Sequence, residues 1–249
     1  MQVEKYNASG NDFVIFHTFH KARRNTLAQK LCHRQSGVGA DGLIVLIPHE
    51  KYDFEWEFYN SDGSDAEMCG NGSRAAAHYA VSNGLCGSEM AFLTLAGVIE
   101  ARVEGDEAEV KLTRPEVIEN RIVAGGHQWR LIDTGVPHMV TFVDDLKAYD
   151  RTIARELRNT YNANVNFCKV DDRSGALHVR TYERGVEDET LACGTGMAAC
   201  FYAALQDGKV GERCKVYPTS KAELTLSMRD GFIYFKGSVE RVFVTSVDF

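Results

Sequence analysis

The pattern Cys-Gly-x-Gly occurs twice in this chain, and each copy opens an alanine-rich apolar segment. The first copy begins at Cys69 and the second at Cys193, so that about half of the 249 residues separate them. Each apolar segment closes on a glycine at the same offset from its cysteine, Gly84 or Gly208. This repetition predicts two similar halves, each with a cysteine at the start of its central helix.

A thiol at a helix start lies in an environment that favours anions. The first backbone N–H groups of a helix are unpaired and stand at the positive end of the helix dipole. We therefore expect the thiolate form of each cysteine to be stabilised. Gly70 and Gly72 leave the first turn of the first helix without side chains, so that a substrate carboxylate can approach the same N–H groups.

The bulk composition narrows the class of protein. With 249 residues and 44% hydrophobic content, the chain is long enough for two domains with their own cores. The net charge of −7 argues against a nucleic-acid partner, because binding to nucleic acid needs a basic surface. The sequence has neither a long apolar run nor a signal-peptide pattern at its start, so that we expect a soluble, cytoplasmic protein without a membrane partner. The seven cysteines are an odd number without regular spacing, and we expect them to be mostly reduced.

Short strand patterns surround both predicted helices. Pro115, one of only four prolines, lies close to the middle of the chain and marks the expected domain boundary. We predict an N-terminal domain, residues 1–114, completed by the last strand at 240–249, and a C-terminal domain, residues 115–239. The fold class is mixed α/β (α+β), with two pseudo-symmetric domains, each a mostly antiparallel sheet wrapped around a central helix.

Asn25 is expected to cap a short helix, residues 26–33.

Several polar residues outside the two cysteine motifs have ordinary explanations on their own. Asn11 and Asn60 stand in turn-forming runs. His138 follows a proline in a turn and, by itself, indicates a structural histidine. Asn164 is one of three asparagines in five residues, which suggests a polar wall, although asparagine also ends helices.

Several chemistries could use two such thiols. A redox pair usually lies in a local Cys-x-x-Cys, which the sequence lacks, although a thiol redox or binding module remains an alternative. A metal site would need two further cysteine or histidine ligands at short spacing, and we predict none. Two buried structural cysteines would not explain why each stands beside glycines at a helix start.

Stereochemical inversion next to a carboxylate fits the duplication better. One group must remove the proton from one face of the carbon, and an equivalent group must return a proton to the other face. The backbone N–H groups of Gly70, Asn71, Gly194 and Thr195 could stabilise the charge that develops on the carboxylate, so that no cofactor is needed. One cysteine must then be a thiolate while the other is a thiol, and the roles exchange between directions.

Six stretches of the sequence together resemble the diaminopimelate epimerase family. They are Asn-Ala-Ser-Gly-Asn-Asp-Phe-Val (7–14), Gly-Val-Gly-Ala-Asp-Gly-Leu (37–43), Phe-Tyr-Asn-Ser-Asp-Gly-Ser (58–64), Met-Cys-Gly-Asn-Gly-Ser-Arg (68–74), Tyr-Glu-Arg-Gly (182–185) and Glu-Thr-Leu-Ala-Cys-Gly-Thr-Gly (189–196). The resemblance implies a pyridoxal-independent enzyme that interconverts LL- and meso-2,6-diaminopimelate on the route to lysine and peptidoglycan. It also implies a small amino-acid substrate and, in many members, a homodimer. Proline and hydroxyproline racemases share the two-cysteine logic and are the alternative, but their first cysteine is usually followed by Gly-His-Gly.

The resemblance assigns roles to individual residues. It implies that Cys69 and Cys193 are the acid/base pair, and that Glu183 and His138 act beside the reacting centre. Arg184 would bind the distal carboxylate bidentately. The positions that match substrate contacts are Asn11, Asn60, Gly70, Asn71, Asn164, Glu183, Arg184, Gly194 and Thr195.

Two positions depart from the family pattern. Val136 stands where members commonly have asparagine, and Gly42 stands where some have glutamine. Val136 lacks the amide that would contact the far end of the substrate, so that only its backbone could serve there. Since both thiols would approach one carbon, we also expect oxidation to join Cys69 to Cys193.

Overall fold

The computed structural model describes residues 1–248 and divides the chain into two compact units. Unit 1 comprises Met1–Val110 together with the segment that starts at Lys236, and unit 2 comprises Lys111–Phe235. The limits of folding domains at residues 115 and 240 stay a prediction from the sequence. Within residues 1–248, no helix has the length and apolar character needed to cross a bilayer.

Unit 1 surrounds two helices with strands. The helices are α1 (Asn25–Cys32) and α2 (Gly70–Ser82). The strands are β1 (Gln2–Ala8), β2 (Asn11–His17), β3 (Gly42–Ile47), β4 (Phe54–Asn60), β5 (Glu89–Thr94), β6 (Gly97–Glu104), β7 (Glu107–Lys111), whose last residue belongs to unit 2, and the final strand β17 (Glu240–Ser246).

Unit 2 has the same kind of composition. Its helices are the short 3₁₀ helix η1 (Leu146–Ala148), α3 (Arg151–Tyr161) and α4 (Gly194–Gln206). Its strands are β8 (Glu116–Ala124), β9 (His127–Asp133), β10 (Pro137–Phe142), β11 (Asn164–Val170), β12 (Leu177–Glu183), β13 (Asp188–Thr190), β14 (Arg213–Tyr217), β15 (Leu224–Arg229) and β16 (Phe232–Ser238), which ends in unit 1.

The strand pairings repeat between the units. In unit 1, β17–β1 and β1–β2 are antiparallel, β2–β3 is parallel, β3–β4 is antiparallel and β4–β5 is parallel. In unit 2, β8–β9 and β9–β10 are antiparallel, β10–β11 is parallel, β11–β12 is antiparallel and β12–β14 is parallel. The last strand of the chain therefore takes in unit 1 the place that β8 takes in unit 2. The predicted fold class, two pseudo-symmetric and mostly antiparallel halves, is confirmed.

The central helices α2 and α4 are buried on nearly all sides, because alanine and glycine let the surrounding strands approach closely. Both helices end in the same way. Gly84 and Gly208 have φ of 67° and 65°, and their backbone N–H groups donate to Val81 O and Leu205 O at 3.0 Å. Glycine adopts this left-handed conformation without strain, so that the sequence fixes the end of each helix.

The prediction for Asn25 was wrong. Asn25 is the first residue of α1, and Arg24 takes the N-cap position without a side-chain hydrogen bond. The Asn25 amide instead donates to Gly63 O at 2.6 Å, a partner 38 residues away. A tertiary contact has thus replaced the local cap that the sequence favours.

Candidate active site

Cys69 is the N-cap residue of α2, in unit 1. Its backbone is extended, with φ −146° and ψ 120°, and its Sγ accepts a hydrogen bond from Gly72 N at 3.4 Å. The Sγ also lies 3.6 Å from Asn11 Oδ1, to which the thiol donates. The sulfur is therefore held at the open start of a helix, where backbone N–H groups stabilise negative charge.

Asn11 and Asn71 lie beside this thiol. Asn11 Nδ2 donates to Asp41 Oδ2 at 2.7 Å, and its Oδ1 accepts from Asn71 Nδ2 at 3.4 Å. Since the carboxylate of Asp41 can only accept, it fixes which end of the Asn11 amide faces Cys69. The structure thus brings three of the predicted site residues together: Cys69, Asn11 and Asn71.

Arg74 is the fifth residue of α2, and its side chain is completely buried. Its guanidinium donates to Asn71 Oδ1 at 2.8 Å, to Ser9 Oγ at 2.9 Å and to Ser238 O at 2.9 Å. Burial lowers the pKa of Arg74 to about 10, while attraction to a Cys69 thiolate acts in the opposite direction. The side chain is therefore a buried cation at neutral pH, and the sequence analysis missed it.

Asn60 is exposed at the end of β4, and its amide donates to Ser64 Oγ at 3.0 Å within its own turn. It pairs in register with Gly42 of β3. A Cβ at position 42 would lie 2.7 Å from the Phe58 ring and 2.9 Å from Tyr59 O. The space that a longer residue at position 42 would need is thus filled by Phe58.

Cys193 is the N-cap residue of α4, in unit 2, and its backbone is extended, with φ −117° and ψ 107°. Its Sγ lies 3.6 Å from Thr195 Oγ1, and either atom can donate. Thr195 Oγ1 lies 2.9 Å from His138 Nε2, while Thr195 O accepts from Thr134 Oγ1 at 2.9 Å. The structure therefore joins Cys193, Thr195 and His138 in one chain of hydrogen bonds.

The tautomer of His138 follows from its neighbour Asn166. Asn166 Nδ2 lies 3.0 Å from Met139 O and 3.1 Å from His138 Nδ1, and Asn166 Oδ1 accepts from Thr181 Oγ1 at 2.8 Å. A carbonyl can only accept, so that Nδ2 is the donor and His138 Nδ1 accepts from it. The ring proton is then on Nε2, which donates to Thr195 Oγ1. This leaves the threonine hydroxyl proton available to the Cys193 sulfur.

His138 is fully buried. Burial lowers the pKa of His138 to about 3, and the nearby Arg184 cation adds to the shift. The imidazole is therefore neutral at physiological pH and serves as a hydrogen-bond donor.

Gly194 is the first residue of α4. Three further predicted residues of unit 2 lie where β11 and β12 meet a loop. Asn164 Oδ1 accepts from Arg184 N at 2.8 Å, and Asn164 Nδ2 lies 3.5 Å from His138 Nε2. Arg184 Nη1 donates to Asn162 O at 3.0 Å, and Glu183 Oε2 accepts from Thr190 Oγ1 at 2.7 Å. Asn164 Nδ2 and His138 Nε2–H are both donors, and the Asn164 amide donates instead to Pro137 O at 3.4 Å. Asn164 thus holds the arginine loop against the backbone next to His138.

The chain has seven free cysteines. Within residues 1–248, no three His, Cys, Asp or Glu side chains are grouped closely enough to hold a metal ion. We call the groups around Cys69 the first half-site and the groups around Cys193 the second half-site.

A protein-family model described as diaminopimelate epimerase matches residues 3–118 and 130–242. A diaminopimelate epimerase of Nitratiruptor sp. is 60% identical over 245 residues, which cover 98% of each chain. One of Campylobacter jejuni subsp. doylei is 51% identical over the full length of both chains, and one of Helicobacter pylori is 39% identical over 96% of this chain and 93% of that one.

The similar solved structures are more distant in sequence. A probable proline racemase from Agrobacterium radiobacter has a TM-score of 0.78 at 14% identity, covering 99% of this chain and 92% of that one. A predicted epimerase from Pseudomonas aeruginosa has a TM-score of 0.75 at 16% identity, with 99% and 98% covered. These two structures share the fold with this chain.

Proposed function

The chain belongs to the diaminopimelate epimerase family, and we propose that it interconverts LL- and meso-2,6-diaminopimelate by inverting one α-carbon. It is an isomerase that acts on a small amino acid. The product meso-diaminopimelate would serve the synthesis of lysine and peptidoglycan precursors.

The proposed mechanism uses Cys69 and Cys193 as two bases on opposite faces of the α-carbon. One thiolate removes the α-proton, and the other thiol returns a proton from the far side, so that the configuration inverts. For the reverse direction the two groups exchange roles. The equivalent N-cap positions of the two cysteines support this assignment, because inversion needs two groups of the same kind.

The negative charge that develops during proton removal would spread into the α-carboxylate. We propose that this carboxylate binds the N–H groups of Gly70, Asn71, Gly194 and Thr195, at the starts of the two central helices. Loss of one such donor costs about 3–4 kcal/mol of transition-state stabilisation in known oxyanion holes. Several of them make a route without pyridoxal phosphate chemically reasonable.

The other predicted contacts are assigned to the rest of the substrate. Arg184 would bind the distal carboxylate, with Asn11, Asn60 and Asn164 as further polar contacts. Glu183 and His138 would orient groups near the reacting centre. With Val136 and Gly42 in place of amide side chains, the distal end would depend more on Arg184 and on backbone groups.

The observation that carries the proposal is the duplicated thiol at the start of a buried central helix, found in two units with the same strand order. Incubation of the reduced protein with LL-diaminopimelate in heavy water tests it. We expect meso-diaminopimelate to form with one deuterium at the inverted α-carbon. NMR and mass spectrometry of the amino acid measure this incorporation. Proline and trans-4-hydroxyproline, in parallel reactions, should gain no deuterium.

The outcomes separate the alternatives. Deuterium in proline but not in diaminopimelate would favour a racemase of the proline type. No exchange into any amino acid, together with disulfide exchange, would favour a thiol redox module and contradict the proposal. An oxidised sample that retains activity and contains no Cys69–Cys193 bridge would contradict the expected disulfide.

We further propose a homodimer in the cytoplasm. Three consecutive apolar residues of β17, Val242, Phe243 and Val244, are 44–47% exposed, and a second copy would cover them. A reducing compartment suits two catalytic thiols. Analytical ultracentrifugation should give a dimer for the wild type and a monomer for Phe243→Asp; a wild-type monomer at micromolar concentration would contradict the assembly.

A further inference from the structure

Arg74 combines three unusual properties. Its side chain is completely buried, it carries a positive charge at neutral pH, and it lies in the helix that begins after Cys69. The three acceptors described above, Asn71 Oδ1, Ser9 Oγ and Ser238 O, are all uncharged. Burial of a cation is costly even where it donates hydrogen bonds, so that packing alone is a poor reason for an arginine here.

The hydrogen bonds of Arg74 set the orientation of two amides in succession. A guanidinium can only donate, so that the Asn71 atom 2.8 Å from it must be the oxygen. The Asn71 Nδ2 then points to Asn11 Oδ1, at 3.4 Å. Asn11 is fixed independently at its other end, because Asp41 accepts from its Nδ2. Both constraints agree, and they present Asn11 Oδ1 to the Cys69 sulfur at 3.6 Å.

The charge of Arg74 acts on the same sulfur. The Cys69 thiolate is the charged group that favours the cationic form of Arg74, and by reciprocity the cation favours the thiolate. Low effective permittivity in the interior makes this attraction stronger than it would be at the surface. The Asn11 oxygen stabilises the thiol form of Cys69, and the Arg74 cation stabilises the thiolate form, which are the two states that an acid/base group must adopt in turn.

We propose that Arg74 is a positioning residue for the Cys69 half-site: it orients Asn71 and Asn11 against the sulfur and supports the Cys69 thiolate during turnover. Because Arg74 is completely buried, it would act on the substrate through Asn71, Asn11 and Cys69. The inference rests on the proposed function only in assigning Cys69 an acid/base role.

Two substitutions separate the charge from the hydrogen bonds. Arg74→Lys keeps a cation but loses the planar fork of donors, and Arg74→Met keeps most of the volume but loses both. The first readout is the pH dependence of iodoacetamide alkylation at Cys69, followed by peptide mass spectrometry, with Cys193 in the same sample as an internal reference. The second readout is kcat and KM for LL-diaminopimelate.

In Arg74→Met we expect the alkylation midpoint of Cys69 to rise by about one to two pH units, because the thiolate loses a buried cation. The midpoint of Cys193 should stay unchanged, and kcat should fall about 10- to 100-fold. In Arg74→Lys the Cys69 midpoint should stay near that of the wild type, while kcat falls less than about tenfold.

Arg130, which is partly exposed and forms an ion pair with Asp207, offers a control in unit 2. Its Nη1 donates to Ala203 O at 3.1 Å, near the end of α4, far along the helix from Cys193. Arg130→Met should leave both alkylation midpoints unchanged. If Arg74→Met does not fold, Arg74→Lys and Ser9→Ala test the proposal in its place. Ser9→Ala removes one acceptor of the guanidinium. It should lower kcat a few-fold and leave the alkylation midpoint of Cys69 unchanged.

Folded Arg74 variants with a wild-type Cys69 midpoint and wild-type kcat would overturn the proposal and leave Arg74 a purely structural residue. Equal shifts at Cys69 and Cys193 would overturn it as well, since they would indicate a global change. Alkylation requires no substrate, so that the result stands even if diaminopimelate is not epimerised.

Discussion

The two half-sites place a thiol at the same helix position but differ in electrostatic support. In both, a cysteine is the N-cap of a buried 13-residue helix, and its sulfur lies 3.6 Å from a side-chain oxygen of a neighbouring residue. Behind Cys69, two amides lead to the buried cation of Arg74. Behind Cys193, a hydroxyl leads to the neutral imidazole of His138. The position of the thiol is thus the same in the two units, whereas the group that supports it is a cation in unit 1 and a neutral imidazole in unit 2.

This difference suits a reaction in which the two thiols are never in the same state. The Asn11 oxygen next to Cys69 can only accept a hydrogen bond, whereas the Thr195 hydroxyl next to Cys193 can donate or accept. The Cys69 thiolate is therefore stabilised by Gly72 N–H and, under the proposal above, by the Arg74 cation, whereas the Thr195 hydroxyl can hydrogen-bond to either form of Cys193. The two thiols therefore differ in the groups that can stabilise each of their protonation states.

The largest expected effect is the loss of either sulfur. Cys69→Ala and Cys193→Ala should each lower kcat for epimerisation by at least about 10³-fold, since a general acid or base contributes about 10²–10⁴-fold and inversion needs both. Each variant keeps one base. It should therefore exchange the α-proton of one stereoisomer with heavy water and leave the other untouched, and the preferred isomer should differ between the two variants.

Proton NMR of LL- and meso-diaminopimelate incubated separately with each variant measures this. Circular dichroism of both variants checks that the fold is retained. Exchange of the same isomer by both variants, or wild-type epimerisation by either, would mean that the two sulfurs do not act on opposite faces.

The duplicated architecture was predictable because its signals are local. A glycine that must adopt a positive φ ends each helix, and small residues mark a helix buried on all sides. The repeat of these signals is sufficient to predict two similar halves with equivalent thiols. The cap of α1 was mispredicted because Asn25 finds its partner 38 residues away.

The residues behind the thiols were less predictable, for two different reasons. Arg74 looks like an exposed charge on an alanine-rich helix, and its burial depends on Ser238, 164 residues away, in the segment that returns to unit 1. Asn166 carries a signal that could have been used. It lies two residues after Asn164 on β11, so that both amides project from one face of the strand.

A second test compares equivalent glycines of the two motifs. A Cβ at Gly196 would lie 2.4 Å from Asn166 Oδ1, whereas a Cβ at Gly72 would lie 3.3 Å from Ile44 Cδ1. Gly196→Ala should displace Asn166 and break its buried hydrogen bonds, so that the free energy of unfolding falls by about 2–4 kcal/mol. Gly72→Ala should change it by less than about 1 kcal/mol, because helix propensity offsets the tighter packing.

Urea denaturation of both variants at pH 7.5 measures the two values. Equal destabilisation would mean that Asn166 can move without cost, and that the second half-site is no more tightly packed than the first. Thr181→Val, which removes the donor to Asn166 Oδ1 at 2.8 Å, provides an independent measure of how firmly this amide is held.

The smallest expected effect is the contribution of His138, in unit 2, to the pH dependence of stability. Because burial lowers the pKa of His138 from 6.5 to about 3, the unfolded chain binds a proton between these values that the native state excludes. Stability contributed by this group is complete above pH 6.5 and is lost as the pH falls toward 3, at up to about 1.4 kcal/mol per pH unit. In unit 1, by contrast, Arg74 stays charged throughout this range.

Urea denaturation of the wild type and of His138→Gln between pH 7 and pH 5 isolates the effect, because every other titrating group is common to both proteins. Burial raises the pKa of Asp12, but Arg34 and Lys5 outweigh this effect and lower it to about 2. The stability that this carboxylate contributes is therefore lost only below about pH 4. We expect the wild type to lose about 2 kcal/mol more than the variant over the measured range. Parallel curves would mean that His138 is protonated in the native state, so that Thr195 and Cys193 would be supported by a cation just as Cys69 is, and the contrast between the half-sites would disappear.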